Sequence, residues 1–242
     1  MKATAIETKA TKANNSNNKR YLHSIIAGFV LLLTFAGFAQ SYYLKKLFDS
    51  APLSSLLHIH GLVMTLWLLL FLLQVRLIAT GKLGWHRRVG MWGMGLGLLA
   101  MLIGIATAID SARRVQAETG GLSFLATSLG GLLVFVTLVI LGFIYRRQRD
   151  FHSRFMLLAN LSILAPAIAR LPLEVIEHGG MTLIFIIKDV CVLAFVAVDF
   201  ARTRRFHPVS ICASVLIIAS YPITRFIGTT STWIDIAKWL VN

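Results

Sequence analysis

The chain has 242 residues, of which 57% are hydrophobic and only 14% charged, where a soluble domain carries about 25% charged residues. Its formal charge is +14, but the basic residues sit in short connections between apolar blocks. That is the positive-inside pattern of a multi-pass membrane protein and excludes a nucleic-acid-binding face.

The N-terminal segment 1–20 is polar, with an Asn/Ser run over 14–18 and five basic residues. It cannot bury a core, so it is expected to be disordered. Residues 21–228 read as one membrane domain. Its apolar blocks approach the roughly 20 helical residues that cross a bilayer core. The first block runs from Tyr21 to about Tyr43. Gly37 and Ala39 weakly resemble a signal-peptidase site, but the run is long for a signal sequence and favours a retained helix.

The second span, about Leu53–Thr80, begins near His58 and His60 and ends at the basic turn 81–88. Residues spaced 4, 3, 4, 3 share a helix face, which aligns His60, Met64, Trp67, Phe71 and Gln74. A stripe of that kind is costly in lipid and should face other helices; packing is its simplest role. The third span, about Val89–Ile109, carries Gly93 and Gly97 at the small-xxx-small spacing that lets helices approach closely. A polar loop over 110–121 precedes the fourth span, about Leu122–Tyr145.

A second basic turn, Arg146–Arg149, opens the fifth span, which holds His152, Arg154 and Asn160, is kinked at Pro166 and ends near Pro172. The sixth span is about Met181–Phe200, with Lys188, Asp189 and Asp199 inside it or at its edge. A third basic turn, with Arg202, Arg204, Arg205 and His207, leads to the seventh span, about Pro208–Ile227. The tail 229–242 is amphipathic, and Trp233 and Trp239 suit an interface. The expected fold is therefore all-α, a bundle of about seven transmembrane helices. Its lipid-facing partner is the bilayer, and no protein partner is legible.

Counted on alternate sides of the bundle, fifteen Lys and Arg fall on one side against five on the other. The imbalance predicts an inner-membrane protein with a cytoplasmic N-terminus. Cys191 and Cys212 both lie inside apolar blocks and offer neither zinc spacing nor a disulfide framework. Walker, serine-elbow, HExxH and dinucleotide motifs are lacking, so no enzyme class is indicated.

Two constellations carry chemistry. At the basic boundary, His86 and His152 are each followed by arginine, as HRR and HSR. Imidazoles on two helices are able to clamp a b-type haem iron, with Arg87 and Arg154 pairing with its propionates. The alternative is that interfacial turns collect such residues because they are tolerated there. In the other half lie His60, Arg170, Asp189 and Arg225. Arg170 and Asp189 are within reach of an ion pair, functional or merely register-fixing.

The pattern H-x-H-G…W…Q…G-x-x-x-x-H-R-R-x-G, then H-x-R-x-M…A-x-x-R, resembles a family of bacterial multi-pass membrane proteins known only as a domain of unknown function. The matching positions are His60, Gln74, His86, Arg87 and Gly90, then His152, Arg154, Met156 and Arg170, over roughly residues 55–172. A remoter similarity is to di-haem transmembrane cytochromes, which use histidines on four consecutive helices. The span Leu122–Tyr145 has no histidine, which leaves at most one haem near the basic face. Three functions are therefore expected: a b-type haem or quinone-linked redox protein first, then a small-molecule or proton-linked transporter, then a non-catalytic assembly subunit.

Overall fold

The computed structural model describes residues 23–49, 51–115 and 120–242, and all of its regular structure is helical. The N-terminal segment 1–20 lies outside the described residues. Among the described residues, seven helices are long and apolar enough to cross a membrane, in agreement with the number of apolar blocks. They are α1 (His23–Tyr43), α2 (Ser55–Ala79), α3 (Leu83–Val115), α4 (Gly121–Ile144), the α5–α6 span (Arg149–Ile168), α7 (Glu174–Thr203) and α8 (Pro208–Gly228). A short α9 (Ser231–Val241) follows.

The bundle is apolar on its outside as well as its inside. Leu32, Trp92, Leu133 and Phe226 are all more than two-thirds exposed. In water such surface would be a liability; against lipid tails it is the required face. The α5–α6 span departs from this pattern. It has the lowest mean hydropathy of the seven, 1.3, and the largest buried share, 61%. A helix surrounded by other helices can carry polar groups that a lipid-facing one cannot. Leu158, Ala159 and Asn160 at its centre have no exposure at all.

Helix ends follow local chemistry. The Ser54 hydroxyl accepts from the Leu57 N–H at 3.4 Å and caps α2. Gly81, at φ 74°, lets the chain turn at once into α3. The fifth span breaks where Pro166 predicts, but as a break rather than a kink. The first part, α5, stops at Ser162 and the four-residue α6 (Ala165–Ile168) restarts with Pro166 in its first turn. The sixth span begins earlier than expected, because Glu174–Gly179 is helical and joins the main helix across a non-helical Gly180 at φ 63°. The expected loop after Ile109 is also partly helix, since α3 continues to Val115.

Two close approaches set the packing. An added Cβ on Gly97 would lie 3.2 Å from the Trp67 ring, so the small-xxx-small face does seat α3 against α2. Gly37 abuts the backbone carbonyl of Ala167, so α1 crosses the α5–α6 span where no side chain fits. The tail folds back. Trp233 Nε1 donates to the Leu122 carbonyl at 2.8 Å, and Ala237 is buried in a satellite cluster with Ala112, Leu122 and Leu125.

Candidate functional site: the histidine pair at the basic end

His86 lies in the first turn of α3 and His152 in the first turn of α5. These helices start at the same end of the bundle, and the two rings meet edge to face with 6.1 Å between centroids. The sequence expectation that the two residues come together is met by this geometry.

The neighbours of each ring fix its tautomer. His152 Nδ1 lies 2.7 Å from the carbonyl oxygen of Gly142, near the end of α4. A carbonyl only accepts, so this nitrogen carries the hydrogen and Nε2 keeps its lone pair. His86 is held by Gln74, the last residue of the α2 stripe. In the only orientation that satisfies the Gln74 amide, its nitrogen donates to the His86 carbonyl at 3.1 Å and to His86 Nδ1, while its oxygen accepts from the Gly90 N–H at 3.1 Å. His86 Nδ1 therefore accepts, and its hydrogen sits on Nε2. One free nitrogen is a donor and the other an acceptor.

The same end of the bundle holds a buried ion-pair cluster. Arg154 Nε donates to Asp199 Oδ2 at 2.9 Å and Nη2 donates to Oδ1 at 2.8 Å, a bidentate fork. The Ser210 hydroxyl donates to Asp199 Oδ2 at 2.7 Å, and Arg154 Nη1 donates to the Asp150 carbonyl at 2.9 Å. Arg154 and Asp199 are 7% and 8% exposed, so both charges are desolvated and depend on each other. His207 caps α8, its Nδ1 accepting from the Val209 N–H at 3.2 Å, and its ring meets Phe151 at 5.0 Å. Burial, then the nearby Arg154 charge, holds the His207 imidazole below its usual range, against the opposing pull of Asp199 and Asp150.

The same contacts bear on the haem expectation. Two axial imidazoles present Nε2 to the iron, so a haem would require His86 to carry its hydrogen on Nδ1 and Gln74 to turn its amide oxygen toward it. Arg154 is committed to Asp199, and Arg87 is exposed at the surface, so neither is positioned for a propionate beside the rings. The helices are also tight here: a Cβ on Gly142 would lie 2.8 Å from Met156 Sδ. In this arrangement the two rings meet directly, with 6.1 Å between centroids. They do not belong to a larger ligand set, since no group of three or more His, Cys, Asp or Glu is placed for a metal among the described residues.

The other expected cluster separates into parts. Arg170 does not pair with Asp189. Its Nη1 donates to the Pro166 carbonyl at 2.8 Å and its guanidinium lies over the Phe38 ring at 4.8 Å. Asp189 instead pairs with its neighbour Lys188 at 3.0 Å. Arg225 donates to the Tyr221 hydroxyl at 3.1 Å. His60 is within electrostatic range of Arg170, and its buried Nδ1 has no hydrogen-bond partner. The stripe through His60 faces inward as expected: Trp67 and Phe71 are buried, and Trp67 Nε1 donates to Asn160 Oδ1 at 3.1 Å.

Sequence reasoning named His86, His152 and Arg154 but missed their partners. Gln74 was visible only as the end of a stripe, Asp199 only as a charge at a span edge, and Ser210 not at all. The signal for Asp199 and Ser210 was present: the third basic turn brings the α7 end and the α8 start together, opposite Arg154.

The fold is that of a multi-pass membrane helical bundle, with the histidine pair and the Arg154–Asp199 ion pair at one end. No protein-family model, curated protein or solved structure matches the chain.

Proposed function

We propose that this chain is a proton-linked membrane transport protein whose working centre is the His86–His152 pair. The observation that carries the reading is the opposed hydrogen bonding of two imidazoles 6.1 Å apart, one anchored through Gln74 and the other through Gly142. Histidine is the side chain whose ordinary pKa puts its charge change near neutral pH. A pair with one donor and one acceptor nitrogen takes up a proton at His152 Nε2 and gives one up at His86 Nε2. The Arg154–Asp199 fork holds α5 against α7 while the pair changes charge. The inner-membrane location and a basic end facing the cytoplasm belong to the same proposal and rest on the charge imbalance.

The test is proton flux into proteoliposomes holding a pH-sensitive dye, driven by a potassium diffusion potential. Wild-type protein should acidify the lumen well above empty vesicles, and His152→Ala should cut the rate about tenfold or more while retaining the wild-type melting temperature. Flux no greater than that of empty vesicles would refute the reading. A haem protein would instead announce itself by a reducible Soret band that His86→Ala abolishes.

A further inference from the structure

The seam between α7 and α8 holds groups that the histidine pair does not use. The helices run antiparallel and meet along one face of each. On α7 that face carries Asp199, Phe195, Val192, Lys188 and Phe185, spaced 4, 3, 4, 3; on α8 it carries Ser210, Ser214, Ile217 and Tyr221, spaced 4, 3, 4. Contacts fix the register. Ser210 donates to Asp199 at 2.7 Å, Lys188 Nζ donates to the Ile217 carbonyl at 3.3 Å, and Tyr221 stacks on Phe185 at 3.9 Å. Beyond these, the Thr182 and Tyr221 hydroxyls lie 3.5 Å apart and Arg225 donates to Tyr221. From Asp199 to Thr182 the face covers about 25 Å at 1.5 Å per residue, against a hydrocarbon core of about 30 Å.

Two features of this seam have no use in a merely structural helix contact. Lys188 sits at the middle of α7 and is 1% exposed, its charge answered by Asp189, the adjacent residue, at 3.0 Å. An ionisable group at the midplane is expensive, and apolar packing would hold the register as well. Ser214 is 4% exposed, and its hydroxyl has no hydrogen-bond partner. Asp189 Oδ1, in the same part of α7, also lacks a hydrogen-bond partner, and buried polar groups left unsatisfied on one polar face mark a place where a partner comes and goes.

We infer that the α7–α8 seam is a transmembrane proton path, with Lys188 and Asp189 as its midplane relay and Ser214 as the step between them and the Asp199 end. The path rests on the proton-linked reading above and starts at the same end of the bundle, at Asp199, which Arg154 of α5 grips. At the relay a Lys188 N–H bond breaks as an O–H bond forms on the Asp189 carboxylate. Both side chains are then neutral, and no charge is stranded in the core. The amine takes its next proton from the Asp199 side, and the Asp189 acid releases its own toward the Tyr221 end. One proton moves and no electrons do. Val192 and Phe195, 0% and 5% exposed, fill the seam between Asp199 and Lys188.

The experiment uses the full chain in the same dye-loaded proteoliposomes. Lys188→Met keeps the side-chain volume and removes the charge; Ser214→Ala removes a hydroxyl that bonds to nothing. Both should lower flux about tenfold or more. Ser214→Ala should leave the melting temperature unchanged or raise it, which a structural hydroxyl would not do. Should Lys188→Met fail to fold, Ser214→Ala and Lys188→Arg, which keeps a charge that cannot be released, carry the test with the same expected loss. Wild-type flux retained in Ser214→Ala and in whichever Lys188 variants fold would overturn the path while leaving the histidine pair standing. Absence of flux in the wild type would overturn both.

Discussion

His207 shows how one side chain ties the site to the stability of its helix. Its Nδ1 must be unprotonated to accept from the Val209 N–H, and the Arg154 charge opposes any added proton. The folded value therefore lies below the ordinary histidine value of about 6.5. A group depressed in this way stabilises the fold above its unfolded pKa, and that contribution is lost as pH falls through the folded one. Wild-type protein in detergent should lose melting temperature between about pH 7 and pH 5 more steeply than His207→Asn, which keeps a capping oxygen but does not titrate. Parallel losses in the two proteins would show that His207 does not sense pH. At the same scale, residue identity explains what the sequence hid. The sequence set Asp189 within reach of Arg170, whereas its partner is the adjacent Lys188.

At the scale of elements, most boundaries were legible and the exceptions have physical causes. Apolar runs reveal where a chain meets lipid. They are silent about helix continuing into polar sequence, which is why α3 and the start of α7 outran their expected ends. Pro166 marked a discontinuity, but only the surrounding packing decides between a kink and a restart. Glycines read from sequence as loose packing signals become specific once partners are known. Gly37 abuts backbone at Ala167, whereas Gly95 has nothing near its Cβ position. Gly37→Ala should push α1 off the α5–α6 span and lower the melting temperature by several degrees. Gly95→Ala should be neutral or stabilising, because alanine outranks glycine in a helix by about 0.5–1 kcal/mol. Equal responses from the two variants would mean that α1 does not pack at Gly37.

For the whole molecule, class and span number could be read because a bilayer imposes them on composition: blocks of helix length, few charges, basic connections. The site was half legible. Histidines at span boundaries stand out in an apolar chain, so His86 and His152 could be named. Their chemistry could not, because it depends on Gln74 and on the Gly142 carbonyl, and nothing in a sequence says which atom a ring nitrogen faces. That is how the haem expectation arose, and the hydrogen-bond pattern is the ground for the proton-linked proposal. The central claim is that these two rings hold opposite tautomers. The direct measurement is the 15N spectrum of histidine-labelled protein in lipid at a pH where the pair is neutral, with His86→Ala and His152→Ala giving the assignments. The predicted result is hydrogen on Nε2 of His86 and on Nδ1 of His152, with the His86 preference weakened in Gln74→Leu. Hydrogen on the same nitrogen of both rings, unaltered by Gln74→Leu, would contradict the account.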